Sequence, residues 1–377
     1  MKTSLDGGIG LSFRSSRTPG ARSAARPPAA GFNRGQVVRQ SRWRQVCSAA
    51  SGLGASPVDQ NGLPVATGSQ APSGSEDVGE GMVKFGFPKG SLQKSTEDLF
   101  GRAGFRLKIS ERSYFPQIDD DQLWLLLLRS QEISRFVEDG VLDAGICGHD
   151  WIVENGSDVV EVCELQYSKA TSSPARWVLA VEENSDVQTV KDLEGQIVAS
   201  ELVKTTERFF KDRGVNIKVE YSWGATEVKA RIPGIGGIVD ITETGSSLKA
   251  NKLRIIDTIL SSTTRLVANK SAWEDKVKRQ KIEDLAVLLQ GAILGRRKVG
   301  LKMNLPTSKL DAISSILPSA LSPTVSTLVD CEYVAVEVVV EERAARSIIT
   351  ECRRCGASGI LTYSLNTIVP DLDLARS

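Results

Sequence analysis

Ile238-Val239-Asp240-Ile241-Thr242-Glu243-Thr244-Gly245-Ser246-Ser247-Leu248-Lys249-Ala250-Asn251 is the stretch on which the chain turns. Ile238, Val239 and Ile241 form a short apolar run suited to the end of a buried strand. Thr242 to Ser247 is a dense loop of hydroxyls around a glycine, and Leu248 to Leu253 reads as the opening of a helix. Strand, small-residue loop and helix N-terminus together cradle a phosphate. First-turn N–H groups lack intrahelical partners, the dipole favours an anion, and Gly245 with its short neighbours lets the backbone come close. Asp240 and Glu243 flank this loop. An anion cradle has no electrostatic use for acids, so they fall to hydroxyls or a metal beside the phosphate. The stretch implies a site for a phosphorylated sugar.

Upstream of it, Met82 to Phe87, Leu123 to Leu128, Val141 to Cys147, Trp177 to Val181, Gln196 to Ala199 and Val215 to Tyr221 read as strands. They alternate with helices at Leu92 to Ala103, Glu132 to Asp139 and Thr205 to Arg213. Pro88-Lys89-Gly90-Ser91 reads as a turn, which puts Lys89 where ligands gather in an open α/β sheet. Ile232 to Gly237, with Pro233 and three glycines, predicts a loosened helix ahead of the phosphate loop. Downstream, Ile255 to Leu260 and Thr264 to Ala268 read as strands running back toward the first part of the chain, and Asp284 to Arg297 as a long helix. Alternating β and α argues for two α/β lobes joined by crossing strands. From Val299 to Ser364 the order becomes β-α-β-β-α-β, the ferredoxin-like arrangement, with no catalytic-looking residues; regulation or assembly is its expected role.

Several chemistries are unsupported. The glycines near Gly145 and Gly148 do not make G-x-G-x-x-G, so no dinucleotide fingerprint is present. The single histidine of the chain, His149, has no serine-nucleophile motif around it and reads as a loop or ligand-edge residue. Cys352 and Cys355 form a C-x-x-C without a second pair, which argues against a four-ligand zinc site and leaves two thiols near a helix end, with a redox pair as the alternative. No apolar run reaches 18 residues, so no membrane span is expected.

The 377 residues carry a net charge of +1 that hides an uneven distribution. Met1 to Ala50 holds arginines dispersed among Ser, Ala, Gly and Pro, with Asp6 as its one acid. This composition reads as an organelle transit peptide, with Val46 to Ala50 around the cleavage point. A basic tail for nucleic acid would carry interleaved aromatics, so no nucleic-acid partner is expected. Val58 to Glu80, rich in Gly, Ser and Pro, reads as a linker.

From about Met82 to Leu365 the chain resembles ATP phosphoribosyltransferase in its long form, with a C-terminal regulatory domain. The resemblance is most specific over Asp240 to Leu248, which matches the family's phosphoribosyl-pyrophosphate loop. Pro88-Lys89-Gly90, Asp139 to Gly148, Ser222 to Glu227, Ser322-Pro323-Thr324 and Gly356 to Ile360 support it. It implies a two-lobed, periplasmic-binding-protein-like α/β core followed by a ferredoxin-like domain. The corresponding boundaries are 81–172 with 265–297 for lobe I, 173–264 for lobe II and 298–377 for the regulatory domain, after a transit segment and linker at 1–80.

The resemblance further implies transfer of phosphoribose from phosphoribosyl pyrophosphate to N1 of the adenine of ATP, the first step of histidine biosynthesis, with Mg2+. Thr242, Thr244, Gly245, Ser246, Ser247 and Leu248 would hold the 5-phosphate, and Asp240 and Glu243 the ribose hydroxyls or the metal. Lys89, Gly90, Arg112 and Arg129 would face pyrophosphate or ATP phosphates, with Glu227 near the ribose. Asp240, Glu243 and Lys89 are the expected catalytic residues. L-histidine is the implied inhibitor, with Thr324 and Gly359 at its pocket, in a homohexamer of the chloroplast stroma. The alternative is a two-lobed small-molecule or amino-acid binding protein without catalysis. A secreted receptor needs an apolar signal core that this N-terminus lacks, and a sensor has no use for the phosphate loop.

Overall fold

The computed structural model describes residues 79, 81–110, 112–167, 174–317, 323–329 and 332–369. All belong to the second of two units into which the chain divides, 76–377. The transit-peptide reading of residues 1–50 lies outside the described residues, as does the linker apart from Gly79.

Lobe I starts with β1 (Val83–Lys89), α1 (Gln93–Arg102), the short pair β2 (Leu107–Lys108) and β3 (Gln117–Ile118), β4 (Leu123–Arg129) and α2 (Ser130–Glu138). β5 (Ala144–Gly148), α3 (His149–Asn155) and β6 (Val160–Leu165) follow. The chain then crosses into lobe II: β7 (Ala175–Glu182), β8 (Ile197–Ser200), α4 (Val203–Lys211), β9 (Lys218–Tyr221), α5 (Thr226–Lys229), β10 (Ile235–Thr242), α6 (Ser246–Ala250) and β11 (Leu253–Ser262). It returns through β12 (Thr264–Ala268), and α7 (Lys270–Glu274) leads into α8 (Lys276–Arg297).

The sheet of lobe I runs β4-β1-β5-β12-β6 and that of lobe II β11-β7-β10-β8-β9. In each, three strands are parallel neighbours, one reversed strand, β12 or β7, pairs with them, and an edge strand, β6 or β11, pairs antiparallel with that one and so runs the same way as the three. In lobe I, Phe85, Phe87 and Phe100 are fully buried, with Phe87 and Phe100 ring centroids 5.3 Å apart. Each such ring contributes about 1.5–3 kcal/mol on burial. Leu285 and Leu289 of α8 close over the same core. Asp275 starts α8 two turns earlier than its apolar pattern suggests, because its Oδ1 accepts the N–H groups of Val277 and Lys278. The run Lys276 to Gln280, polar apart from the exposed Val277, conceals those turns.

Two expectations are corrected. Pro88 and Lys89 belong to β1 rather than to a turn, pairing with Leu128 and Arg129 of β4. β5 meets β1 only at Phe85 and Gly86, so by Pro88 one side of the strand is free, where a residue without an N–H is tolerated. The glycine-rich lead-in is no loosened helix either: from Ile235 on it is β10, with a register shift between Ile235 and Gly237. A Cβ at Gly237 would press on Val181 at 3.3 Å and on the Ala180 carbonyl at 3.4 Å, so the missing side chain lets β10 lie close to β7.

The C-terminal part is β13 (Lys298–Pro306), α9 (Leu310–Ser314), β14 (Thr324–Thr327), β15 (Tyr333–Glu341), α10 (Glu342–Arg354) and β16 (Ser358–Ser364). Its antiparallel sheet, β14-β15-β13-β16, completes the expected ferredoxin-like fold. Leu301, Met303, Val336, Ile348 and Cys352 are buried together in its core. Cys352 and Cys355 are free thiols at the end of α10. Among the described residues no helix is long and apolar enough to cross a membrane.

Candidate active site

Lys89 and Arg129 end two adjacent parallel strands and stand in register, so both cations leave lobe I at the carboxyl end of its sheet. That end is where open α/β sheets take ligands. The Lys89 ammonium lies 4.0 Å from the centre of the Tyr114 ring. Opposite them, β10 ends at Thr242 and the chain turns through Gly245, whose φ of +76° suits glycine. The Gly245 N–H donates to Thr242 Oγ1 at 2.8 Å, and the Thr244 hydroxyl donates to Ser246 Oγ at 2.9 Å. Hydroxyls thus shape this loop before any ligand arrives.

The helix after the loop is shorter than expected. α6 has five residues, Lys252 takes φ +55°, and Leu253 already begins β11. So short a helix carries little macrodipole, and the donors this turn offers to an anion are mainly the loop's own N–H and hydroxyl groups. Leu248 is buried beneath the loop against Ile238 and Leu253, so its side chain anchors the turn.

Between the lobes lies a cleft of about 580 Å³. Of the residues singled out from sequence, Lys89, Gly90, Arg129, Thr242 and Glu243 line it. Thr244, Gly245, Ser246 and Ser247 continue the loop beyond its edge, with Ser246 and Ser247 exposed. Arg112 is brought to neither wall; it is exposed between β2 and β3. His149 does not line the cleft and faces Glu161, Nδ1 to Oε2 3.2 Å.

Asp240 is partly buried behind the loop, and burial pushes its carboxyl up to about 6. The nearby carboxylates of Glu227 and Glu201 push the same way, against the Ile241 N–H that it accepts at 2.8 Å. Glu201 is raised by burial and by Asp150, and held back by Lys229 and Arg129. Asp240, Glu201 and Glu227 are thus close enough to act on one another, but of the three only Glu201 lines the cleft; Asp240 and Glu227 lie behind it. Sequence reading missed Glu201 and Asp150, both of which line the cleft. Glu201 had one signal, its place directly after strand β8.

Among the described residues no group of three or more His, Cys, Asp or Glu side chains could hold a metal alone. The donors suit Mg2+ that takes most of its ligands from phosphates and water, the ion's usual habit. Cations on one wall, with Thr242, Glu243 and Glu201 on the other, suit a ligand that carries both anionic groups and hydroxyls. Fold and site together define a two-lobed α/β transferase for phosphorylated substrates, with an appended ferredoxin-like domain.

Comparison narrows this class. Residues 129–291 match the family profile described as ATP phosphoribosyltransferase, and residues 295–367 match that of its C-terminal domain. The ATP phosphoribosyltransferase of Chlorobium phaeovibrioides is 54% identical over 289 residues, spanning 76% of this chain and 98% of that protein. The enzyme of Pelotomaculum thermopropionicum is 53% identical, spanning 76% and 99%. Among solved structures, the ATP phosphoribosyl transferase (HisG:HisZ) complex of Thermotoga maritima aligns with a TM-score of 0.48 and 24% identity, over 55% of this chain and 97% of that one. The chain belongs to the ATP phosphoribosyltransferase family, in the long form that carries the C-terminal domain.

Proposed function

We propose that the inter-lobe cleft transfers phosphoribose from phosphoribosyl pyrophosphate to N1 of the adenine of ATP, releasing pyrophosphate. The observation that carries this reading is the pairing, across one cavity, of Lys89 and Arg129 on lobe I with Thr242 and Glu243 on lobe II. The loop from Thr242 to Leu248 holds the 5-phosphate. Asp240 and Glu243 bind the ribose hydroxyls or Mg2+, with Glu227 beside them. Lys89, Gly90 and Arg129 face pyrophosphate or the ATP phosphates. Arg112, exposed and away from the cleft, is left out.

N1 of adenine already carries a lone pair, so no strong base is needed. The barrier lies in charge developing as pyrophosphate leaves C1 of the ribose, and fixed cations beside that oxygen lower it. Mg2+, when bound, neutralises charge on the pyrophosphate. Asp240 is set back from the cleft and reluctant to ionise, so an approaching hydroxyl or cation draws it into its charged form.

The test is to incubate the purified chain with ATP, phosphoribosyl pyrophosphate and Mg2+ and follow pyrophosphate release and adenine absorbance. Binding without product would instead support a two-lobed binding protein. Feedback inhibition by L-histidine is part of the proposal, supported by the C-terminal domain. Thr324 and Gly359 do not meet within one chain: they sit on β14 and β16, opposite edges of the sheet. Three strand spacings separate those edges, about 14 Å. An effector pocket using both residues needs a second copy of the chain, which agrees with the proposed homohexamer. Chloroplast delivery rests on the arginine-rich, acid-poor N-terminus. A fluorescent reporter fused behind residues 1–80 should collect in chloroplasts, and a cytosolic signal would exclude that address.

A further inference from the structure

Two covalent crossings join the lobes, from Leu165 to Ala175 and from Ser262 to Thr264. A third connection is noncovalent and runs through α3. One side of this helix is tied to lobe I: Asn155 Nδ2 donates to the Gln131 carbonyl and to Ser134 Oγ, both at 2.9 Å. Asp150 and Glu154, four residues apart and so on one face, reach the other way. Asp150 Oδ2 accepts the indole N–H of Trp177 at 2.6 Å, and the Asp150 N–H donates to Ser262 Oγ at 3.0 Å. Glu154 accepts the N–H groups of Lys204 and Thr205, one on each oxygen, both at 2.9 Å.

These amides belong to the first turn of α4, whose own N-cap, Leu202, supplies no side-chain cap. Lobe I therefore caps a helix of lobe II. Both carboxylates are buried, Asp150 to 3% exposure and Glu154 to 8%, and neither forms an ion pair with a described residue. Trp151 of α3 adds an apolar contact, edge-on to Trp177 with ring centroids 6.4 Å apart, but such contacts slide and do not by themselves select an angle. Directional hydrogen bonds from two points one turn apart do.

We propose that Asp150 and Glu154 are positioning residues, which through α3 hold the lobes at one angle and set the reach between Lys89 and Arg129 on one wall and the Thr242–Leu248 loop on the other. The inference rests on those two walls holding the substrates' anionic groups. Each substrate keeps its binding groups when the angle loosens, so the loss falls on turnover, where misplacement of about 1 Å costs on the order of 100-fold.

Glu154 does not line the cleft, so its variants test positioning without touching substrate. In the full chain, well below the melting temperature of each variant, Glu154→Gln should lower kcat roughly fivefold and Glu154→Ala at least about 20-fold, with each KM within about threefold. Exchange of the Lys204 and Thr205 amides should quicken in the same order. A merely structural role would lower the melting temperature and leave kcat per folded molecule within twofold of the parent; that result, or unchanged amide exchange, overturns the proposal. Should Glu154→Ala fail to fold, Glu154→Gln carries both readouts. If the walls themselves are misassigned, Lys89→Ala and Arg129→Ala leave kcat/KM for both substrates unchanged, an outcome independent of Glu154.

Discussion

The two lobes share a sheet plan and differ in chemistry. β4-β1-β5 in lobe I and β9-β8-β10 in lobe II are the parallel triplets, each completed by one reversed strand, β12 or β7, and an edge strand antiparallel to it. At the carboxyl ends of its triplet, lobe I presents Lys89 and Arg129, whereas lobe II presents Glu201, Thr242 at the end of β10, and Glu243 at the start of the hydroxyl loop. One scaffold used twice thus makes a cleft with a cationic wall and an acidic, hydroxyl-rich wall. A ligand that is both polyanion and sugar fits the pair better than either wall alone.

Removing the acid behind the loop should break this asymmetry most. Asp240→Asn is expected to lower kcat at least about 100-fold with the fold intact. It should also stabilise the free protein. The carboxyl titrates near 6 in the fold against about 3.8 unfolded, so the stability it supports is present below pH 4 and lost as pH rises to about 6. The asparagine variant escapes that loss, so above pH 6 it should be more stable than the parent by on the order of 1 kcal/mol, read as a higher melting temperature. Equal melting curves at pH 5 and pH 8 would place Asp240 in a more solvated setting.

On the cationic wall, Lys89→Ala and Arg129→Ala should each cost roughly 10- to 100-fold in kcat/KM, and rising salt should narrow the gap to the parent. Steady-state kinetics at two ionic strengths checks this. In the loop, Gly245→Ala forces a Cβ into φ +76° and should cost about 1 kcal/mol, seen as a roughly fivefold higher KM for phosphoribosyl pyrophosphate. The smallest effect is expected at Gly236→Ala. The new Cβ would meet the Gln196 side chain, whose amide end at 2.0 Å can swing aside while its Cβ at 3.0 Å must give slightly, so thermal melting should report a loss of about 1 kcal/mol.

The loop was legible in sequence because its chemistry is local: hydroxyls and a glycine between an apolar run and a helix carry their meaning at any position in a fold. The ferredoxin-like part was legible for a related reason, since its strands and helices differ in period and follow a known order. Lys89 was placed at the right end of the sheet, yet its strand assignment was missed, because nothing local shows that β5 leaves β1 unpaired beyond Gly86. The glycine-rich lead-in was misread as helix because only β7, from a distant stretch, shows why Gly237 lacks a side chain.

Asp150, Glu154 and Glu201 had no motif to betray them. Their roles depend on Trp177, Lys204 and Asp240, partners brought near only when strands pair across long separations. The sequence by itself determined which segments bury an apolar face, where the chain turns and which loop gathers hydroxyls around a glycine, since these follow from side-chain period and backbone freedom over a few residues. The tertiary structure alone decided which strand ends face one another, that Thr324 and Gly359 lie on opposite sheet edges, and that Arg112 stays outside the cleft. Strand order is a nonlocal property, selected by how whole faces pack, and no short window of residues encodes it.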